Sequence, residues 1–489
     1  MKLKELLSNY ECENLSDIGA LDNNILGVTS DSRLVEPGFL FAALPGENID
    51  GSDFIFDAAR SGAVAVLTSN NISPDISSIA RVSFILDSNP RKRYAQMVSK
   101  FYKPQPEHVV AVTGTNGKSS VAEFTRQIWQ ICNLPGASIG TLGLVAPWKS
   151  ESGKLTTPDP IDLHKTLLNL TKGGVEHVVV EASSHGLTQF RMDGIDIEVA
   201  AFTNLSHEHL DYHKTMDNYF NAKCRLFTEI LNPDGVAVIN SDDEMTAKIL
   251  KILRDRNISI IDFGKNANDL ILKNIEALPN GQELSLSIFG RTYDVILPLI
   301  GSFQSMNVLC ALAIVIASGL DSERAIGALP KLHGVRGRME LAACTSDGSR
   351  IFVDYAHTPD AIRNVLNSLR PHTSNKLKIV FGCGGNRDHS KRQKMGRIAT
   401  QLADEVIITD DNPRFENAAK IRAQIKSASS GAIEIADRMD AITTAVNSLS
   451  NGDVLIIAGK GHEQGQTITG AELPFDDVEA VKTAVRCNL

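Results

Sequence analysis

The sequence predicts an α/β protein of three domains built on mainly parallel, doubly wound sheets, and three observations carry that prediction. Short β-branched runs (HVVAVTG, HVVVEA, IEVAAFTNL, GVAVINSD, then IFVDYAH, LKIVFGCG, DEVIITDD and DVLIIAGKG) alternate with helical stretches, as expected of strands covered by helices on both faces. The 489 residues exceed what one hydrophobic core supports and suit about three domains. Two breaks divide the chain. YKPQPE at 102–107 sets two prolines before the first strong strand, and LPKLHGVRGR at 329–338 is basic and glycine-bearing. The expected domains are 1–105, 106–332 and 333–489.

Bulk properties narrow the function. Hydrophobic residues make up 43% of the chain and charged residues 22%, ordinary values for globular domains. The net charge of −9, with no block of like charge, argues against nucleic acid as a partner and leaves room for small anionic ligands. Cys12, Cys132, Cys224, Cys310, Cys344, Cys383 and Cys487 are scattered and never spaced CxxC. Neither a disulfide framework nor a zinc knuckle is indicated, and a reducing cytoplasm is expected. The N-terminal MKLKELLSNYECEN turns polar before a signal-peptide core forms. The longest apolar stretch, VLCALAIVIASGL from Val308, is shorter than the roughly 18 residues of a membrane span and reads as a buried helix. No membrane span is expected, and the chain is expected to act as a monomer.

In HVVAVTGTNGKSS a strand runs into Gly114, Gly117, Lys118 and Ser119, with the helical VAEFTRQIWQI behind. Glycines let backbone N–H groups curl around phosphate oxygens. The lysine neutralises the outer phosphates, and the serine hydroxyl can ligate magnesium at a helix N-terminus. The pattern indicates a nucleoside triphosphate site, although GxxxxGK[ST] would need glycine where the chain has Val112. Such a loop serves kinases, motors, switches and ligases alike.

Glu181 ends the strand HVVVEA, and His209 and Asp211 follow the next, IEVAAFTNL. With these strands as neighbours, a carboxylate and an imidazole at their ends could complete a divalent-cation shell begun by Ser119 and the phosphates, or be ordinary polar strand ends. His207, His209 and His213 invite a zinc-hydrolase reading, but no glutamate base has metalloprotease spacing. Lys223, in NYFNAKCRLF, lies on an expected helix, where a lone lysine is ordinarily solvated.

The motifs GTNGKSS, TTPDP, EASSHGL, TNLSHEHLDYH, NAKCRLF, SFQSMNVLCALA, GRME, DYAHTPDA, FGCGGNRD, DDNPR and AGKGHE, in that order, resemble the Mur ligases of peptidoglycan synthesis, and most of all the members that add the third peptide residue. Val112 matches that family's shorter loop. The resemblance implies a central P-loop ATPase domain, a Rossmann-like C-terminal domain for the amino acid and a smaller N-terminal α/β domain for the UDP-sugar. It implies that ATP, with Mg2+, phosphorylates the γ-carboxyl of D-glutamate in UDP-N-acetylmuramoyl-L-alanyl-D-glutamate. An amine of meso-diaminopimelate then attacks the acyl phosphate, and phosphate leaves. Three anionic species must meet, so cations are needed at their meeting point.

Carried over by motif, Gly114, Thr115, Asn116, Gly117, Lys118, Ser119 and Ser120 hold the ATP phosphates. Asn307 stands on the adenine side, and Arg338 and Asp354 close onto ATP from the C-terminal domain. Closure would exclude water from the acyl phosphate. Glu181 and Ser119 ligate magnesium, and His209 holds a second ion with Lys223, which the family carbamylates to N6-carboxylysine. Lys118, Glu181, His209 and Lys223 are the implied catalytic group. His357 in DYAHTPD is a strand-end residue given no chemical role. Thr156, Thr157, Ser183, Gln189 and Arg191 match contacts to the sugar-peptide. Ser30, Ser32 and Asn48 match the uridine side, where GENID departs from the family's usual pattern.

Diaminopimelate differs from lysine by a carboxylate beside the distal amine. A planar arginine fork suits that group better than a lysine would, and leaving the arginine unpaired would reject lysine. The resemblance assigns this role to Arg414 within Asp411, Asn412, Pro413 and Arg414. Arg387 pairs with the carboxylate at the reacting end, and Gly459 and Glu463 complete the pocket, Glu463 taking the distal ammonium. Alternatives are the same ligation with L-lysine, a ligase like folylpolyglutamate synthetase, and a nucleotide switch without catalysis.

Overall fold

The computed structural model describes residues 1–7, 14–15, 21–46, 49–69, 82–153, 155–278 and 280–486. Three sheets succeed one another along the chain. The first has five strands, β1 (Asn14–Leu15), β2 (Gly27–Thr29), β3 (Phe39–Ala42), β4 (Ala65–Thr68) and β5 (Ser83–Leu86), in the order β1-β5-β4-β3-β2. All neighbours are parallel except β1 against β5. The helix Pro90–Phe101 packs on it, begun by Asn89, whose side chain accepts from Lys92 N, and by Pro90 in the first turn.

The second sheet carries the phosphate loop. Its strands are β6 (His108–Thr113), β7 (Gly136–Gly140), β8 (Gly143–Ala146), β9 (Lys149–Glu151), β10 (His177–Glu181), β11 (Ile197–Phe202), β12 (Leu231–Asn240), β13 (Ser259–Gly264), β14 (Leu270–Leu278), β15 (Gly281–Ile288) and β16 (Arg291–Leu297), ordered β16-β15-β14-β13-β12-β11-β6-β10-β7-β8-β9. From β14 to β7 the neighbours are parallel, and β6, β7 and β10 are buried along most of their length, with apolar or small residues between their polar ends, because helices cover both faces. Helices Lys118–Ile131 and Ser302–Ala317 cover one face, around the fully buried Trp129 and Phe124. Truncating Trp129 to alanine would cost about 3–5 kcal/mol. Helices Pro160–Lys172 and Met216–Arg225 cover the other. VLCALAIVIA lies within the buried Ser302–Ala317, as its sequence suggests.

Two features differ from the sequence reading. β10 and β11 are not neighbours, because β6 lies between them. Glu181 and the segment after β11 therefore flank the phosphate loop on opposite sides. The sheet is also extended at both ends by antiparallel strands, β14–β16 and β7–β9. β15 and β16 join through Phe289 and Gly290, whose φ values of 46° and 83° give the primed turn that matches strand twist.

The third sheet, β17 (Glu340–Cys344), β18 (Arg350–Asp354), β19 (Leu377–Phe381), β20 (Glu405–Ile408), β21 (Ile433–Glu434) and β22 (Val454–Ala458), runs β17-β18-β22-β19-β20-β21 and is parallel except at β17. A hairpin, β23 (Gly465–Ile468) and β24 (Ala471–Pro474), follows. Among the described residues, no helix is long and apolar enough to cross a membrane.

Candidate active site

Parallel strands deliver their polar ends to one side of a sheet. Gly114, at φ 147°, and Gly117, at φ 88°, let the loop after β6 fold back before the helix at Lys118. A Cβ on Gly114 would lie 1.9 Å from Thr203 Oγ1, and one on Gly117 2.5 Å from Asn307 Oδ1. Asn116 N donates to Asn204 Oδ1 at 2.9 Å. The Lys118 ammonium folds onto the carbonyls of Gly114 and Thr115, both at 2.8 Å. A cavity of about 180 Å3 opens here, lined by Thr115–Ser120, Glu181, Glu208, His209 and Arg338.

Glu181 is buried at the end of β10. Its Oε2 accepts from Ser119 Oγ at 3.0 Å and Thr141 Oγ1 at 3.1 Å, and its Oε1 from Thr141 N at 2.8 Å. A buried hydroxyl and carboxylate 3.0 Å apart beside a phosphate loop fit a hard cation that completes its shell with phosphate oxygens. His209, at φ 55°, has its imidazole pushed down to about 4, first by burial, so it is a neutral nitrogen donor near pH 7. Lys223 is fully buried and donates to Gly114 O at 2.7 Å. Burial, helped by nearby Lys118, pushes its ammonium well below the usual range. An unprotonated amine is the form that adds carbon dioxide, so the environment fits a carbamate. The ordinary solvated reading of Lys223 is ruled out by its burial. The three histidines do not converge. His207 is exposed, and His213 bonds Ser184 Oγ at 3.0 Å and lies tilted against Tyr219, ring centroids 5.2 Å apart. Among the described residues no group of three His, Cys, Asp or Glu could hold a metal ion. Asp211 sits in the exposed first turn of the helix Leu210–His213, outside the phosphate cavity.

Next to the phosphate cavity, Thr157 Oγ1 donates to Glu181 O at 2.7 Å and meets Ser183 Oγ at 3.0 Å. Thr156 Oγ1 meets Thr141 Oγ1 at 3.1 Å. Arg191 donates to Thr157 O at 2.8 Å and Gln189 Oε1 at 2.7 Å. These five predicted residues thus form one continuous hydrogen-bonded patch with Glu181. Ser30 and Ser32 lie on the turn after β2, where the Ser30 side chain bonds Tyr94. Asn48 lies outside the described residues.

The third sheet closes the site from above. Arg338 Nη2 donates to Ser119 Oγ at 3.3 Å, and its guanidinium lies 4.5 Å over the Tyr355 ring. Asp354 accepts from Met339 N and Ala356 N, both at 2.7 Å, and burial raises its carboxyl. A cavity of about 430 Å3 runs between the two sheets, from Asn116 and Gly117 past Asn307, Arg338 and Asp354 to Phe263, Phe303 and Met306. Phosphate-loop amides at one end and apolar side chains at the other suit a nucleotide.

A second cavity, about 330 Å3, lies beside it, lined by Arg387, Asp411, Asn412, Arg414, Gly459 and Glu463 together with Glu208, His209, Tyr355 and His357. The predicted amino-acid residues therefore share one pocket, except Pro413, which is buried behind it. Arg414 stands at φ 54°, held by Arg414 N to Thr467 O at 3.0 Å. One guanidinium nitrogen, Nη1, donates to Gly385 O at 2.9 Å. Arg387 makes no hydrogen bond or ion pair with another described residue. Beneath the pocket Arg438, fully buried, pairs with Asp477 through two 2.7 Å bonds and donates to Asp410 O and Ala458 O.

Sequence reasoning passed over Glu208, Thr141 and Lys460, and gave His357 no role. Glu208 Oε1 meets His357 Nε2 at 3.2 Å, joining the second and third sheets' units. Burial alone would raise its carboxyl, but the His357 bond, helped by the Lys118 charge, prevails and holds it below the usual carboxylate range. Glu208, His209, Tyr355 and His357 form the wall between the phosphate loop and the amino-acid pocket.

A nucleotide cleft and an amino-acid-sized pocket meeting at one wall make up the arrangement of an enzyme that activates a carboxylate and hands it to an amine. The chain belongs to the Mur ligase family. Family models match residues 24–102 (Mur ligase family, catalytic domain), 112–315 (Mur ligase middle domain) and 337–461 (Mur ligase, glutamate ligase domain). A UDP-N-acetylmuramoyl-L-alanyl-D-glutamate–2,6-diaminopimelate ligase of Agrobacterium fabrum is 45% identical over 484 residues, 99% of this chain and 96% of the relative. A solved structure of a ligase of that name matches with a TM-score of 0.73 at 33% identity, covering 100% and 99%. A MurF ligase from Thermotoga maritima, solved in complex with ADP, shares the fold at 18% identity with a TM-score of 0.65, covering 96% and 99%.

Proposed function

We propose that the protein joins meso-diaminopimelate to UDP-N-acetylmuramoyl-L-alanyl-D-glutamate in peptidoglycan precursor synthesis, consuming ATP and forming an acyl phosphate on the D-glutamate γ-carboxyl. The observation that carries this reading is the arginine-bearing pocket that shares its wall with the phosphate loop. An amine held there lies next to the loop that would cradle the γ-phosphate. Residues 106–332 bind ATP, 333–489 the amino acid and 1–105 the UDP-sugar, with Ser30, Ser32 and Asn48 on the uridine side.

The loop from Gly114 to Ser120 holds the phosphates, with Lys118 moving from its two carbonyls toward them. Asn307 faces the adenine side, and Arg338 and Asp354 close over the nucleotide. Thr156, Thr157, Ser183, Gln189 and Arg191 orient the dipeptide so that its γ-carboxylate meets the γ-phosphate in line. Arg387 holds the carboxylate at the reacting end of diaminopimelate, Arg414 the distal carboxylate and Glu463 the distal ammonium. The attacking amine loses a proton as the tetrahedral intermediate forms, and the C–O bond to phosphate breaks to leave the amide. Ser119 and Glu181 would hold Mg2+, and His209 with carbamylated Lys223 a second ion, which when bound would neutralise phosphate charge. Closure of the third unit through Arg338 and His357 excludes water that would hydrolyse the acyl phosphate. The enzyme is taken to act as a monomer in the cytoplasm, where ATP is supplied.

The test is phosphate release with ATP, magnesium and the UDP-linked dipeptide, comparing meso-diaminopimelate with L-lysine. Release and a tripeptide product with diaminopimelate alone are expected. Release with neither amine would overturn the ligase reading.

A further inference from the structure

The turn after β22 holds a lysine with no role in the account above. Lys460 is fully buried, and its ammonium meets three acceptors, Gly465 O at 2.6 Å, Glu463 Oε2 at 2.9 Å and Asn412 Oδ1 at 3.0 Å. An ammonium has three donors and no acceptor, so its capacity is filled. Two consequences follow for the pocket. Asn412 Oδ1 also accepts from Thr467 N at 2.9 Å, so the amide cannot flip, and Nδ2 must point to Glu463 Oε2, which it reaches at 2.8 Å. Glu463 Oε2 thereby receives two donors, while Oε1 receives none from the described residues. The Glu463 side chain, 30% exposed, lines the amino-acid cavity.

We propose that Lys460 is a positioning residue for the amino-acid substrate. It pins one oxygen of Glu463 and fixes Asn412, so that the other oxygen faces the cavity to accept the substrate's distal ammonium. A flexible carboxylate would lose side-chain entropy on binding. Here that freedom is already gone before the substrate arrives. The proposal rests on the reading of this cavity as the diaminopimelate pocket.

Lys460→Met is expected to raise KM for diaminopimelate about 10-fold or more, with the KM values for ATP and the UDP-linked dipeptide within about twofold of the parent and a smaller change in kcat. Glu463→Gln should raise the same KM. In the double variant the lysine change should add less than about threefold, because a residue that acts through Glu463 has nothing left to position. Effects that multiply in full, or three KM values rising together, would overturn the proposal. Should Lys460→Met not fold, Lys460→Gln, which keeps a donor without the charge, takes its place in the same cycle. If Glu463→Gln leaves the KM for diaminopimelate unchanged, the pocket reading itself falls. Fully multiplying effects beside a sensitive Glu463 remove only the role given to Lys460.

Discussion

Replacing Arg414 tests the selectivity of the pocket most directly. Its Nη1 is committed to Gly385 O at 2.9 Å, while a guanidinium offers five N–H donors. Two of the remaining donors can form a fork on a carboxylate. Each charge-assisted bond is worth about 1.5–3 kcal/mol, and half-exposure at the cavity mouth favours the low end, so the fork contributes about 3 kcal/mol. At 1.36 kcal/mol per tenfold, Arg414→Ala should lower kcat/KM for diaminopimelate by about 10²-fold. L-Lysine lacks that carboxylate, so its kcat/KM should not fall, and removing an unpaired cation beside its ammonium should raise it slightly. Arg414→Lys keeps a charge without the fork and should lie between the two. The left-handed backbone at residue 414 strains alanine and lysine equally, which makes the two variants a matched pair. The assay is phosphate release at subsaturating amine for both amines, with tripeptide product confirmed. Equal losses for both amines, or a ratio shifted by less than about threefold, would refute the fork.

Three other changes test the rest of the structure. Lys223→Ala should lower turnover by at least about 10²-fold, and added short carboxylic acids should restore part of it without stimulating the parent; activity unresponsive to them would remove the carbamate. Gly140→Ala would place a Cβ 2.1 Å from Glu181 Oε1, and since displacing catalytic groups by about 1 Å can cost 10²-fold, kcat should fall on that scale, with about 1–3 kcal/mol of stability lost to the overpacking; an unchanged kcat would remove Glu181 from the site. His164 is buried, and burial pushes its imidazole down to about 4 from 6.5. Between those values the unfolded chain binds more protons, so stability falls as pH drops through 6.5 toward 4, by about 2–3 kcal/mol in total. His164→Leu should flatten that stretch of a denaturant-midpoint-versus-pH curve, and an unchanged slope would place the acid sensitivity elsewhere.

The sequence displayed what is local. Gly114 to Gly117 form a loop because glycines interrupt an apolar run, with Lys118 and Ser119 opening the helix behind, and Asp411 to Arg414 make a turn after β20. Residues whose partners lie far along the chain were less legible. Glu208 and His357 are 149 positions apart, so neither advertises the other. Lys460 hid because one of its acceptors, Asn412, lies 48 positions away on another turn. The order of strands was also invisible to periodicity. Nothing in HVVVEA or IEVAAFTNL shows that β6 lies between them, and the antiparallel extension β14–β16 has alternating, half-exposed strands unlike the buried runs that drew notice. Burial of Lys223 was likewise not read from its helix, where a lone lysine is ordinarily solvated; the helix face that carries it packs inward with Phe220 and Phe227.

The buried pair of Arg438 and Asp477 gives the amino-acid pocket a place in time. Arg438 holds the backbone of Asp410 and Ala458, the residues from which the arginine turn and the glycine turn depart. Breaking such a pair leaves a buried charge alone, at a cost of about 3–5 kcal/mol. Asp477 leaves the ribosome after every residue that lines either cavity. During synthesis the sheet that carries the phosphate loop, complete by the helix Ser302–Ala317, can therefore fold well before the floor of its neighbouring pocket is locked. A nascent or truncated chain ending before Asp477 would hold nucleotide with no settled place for the amine.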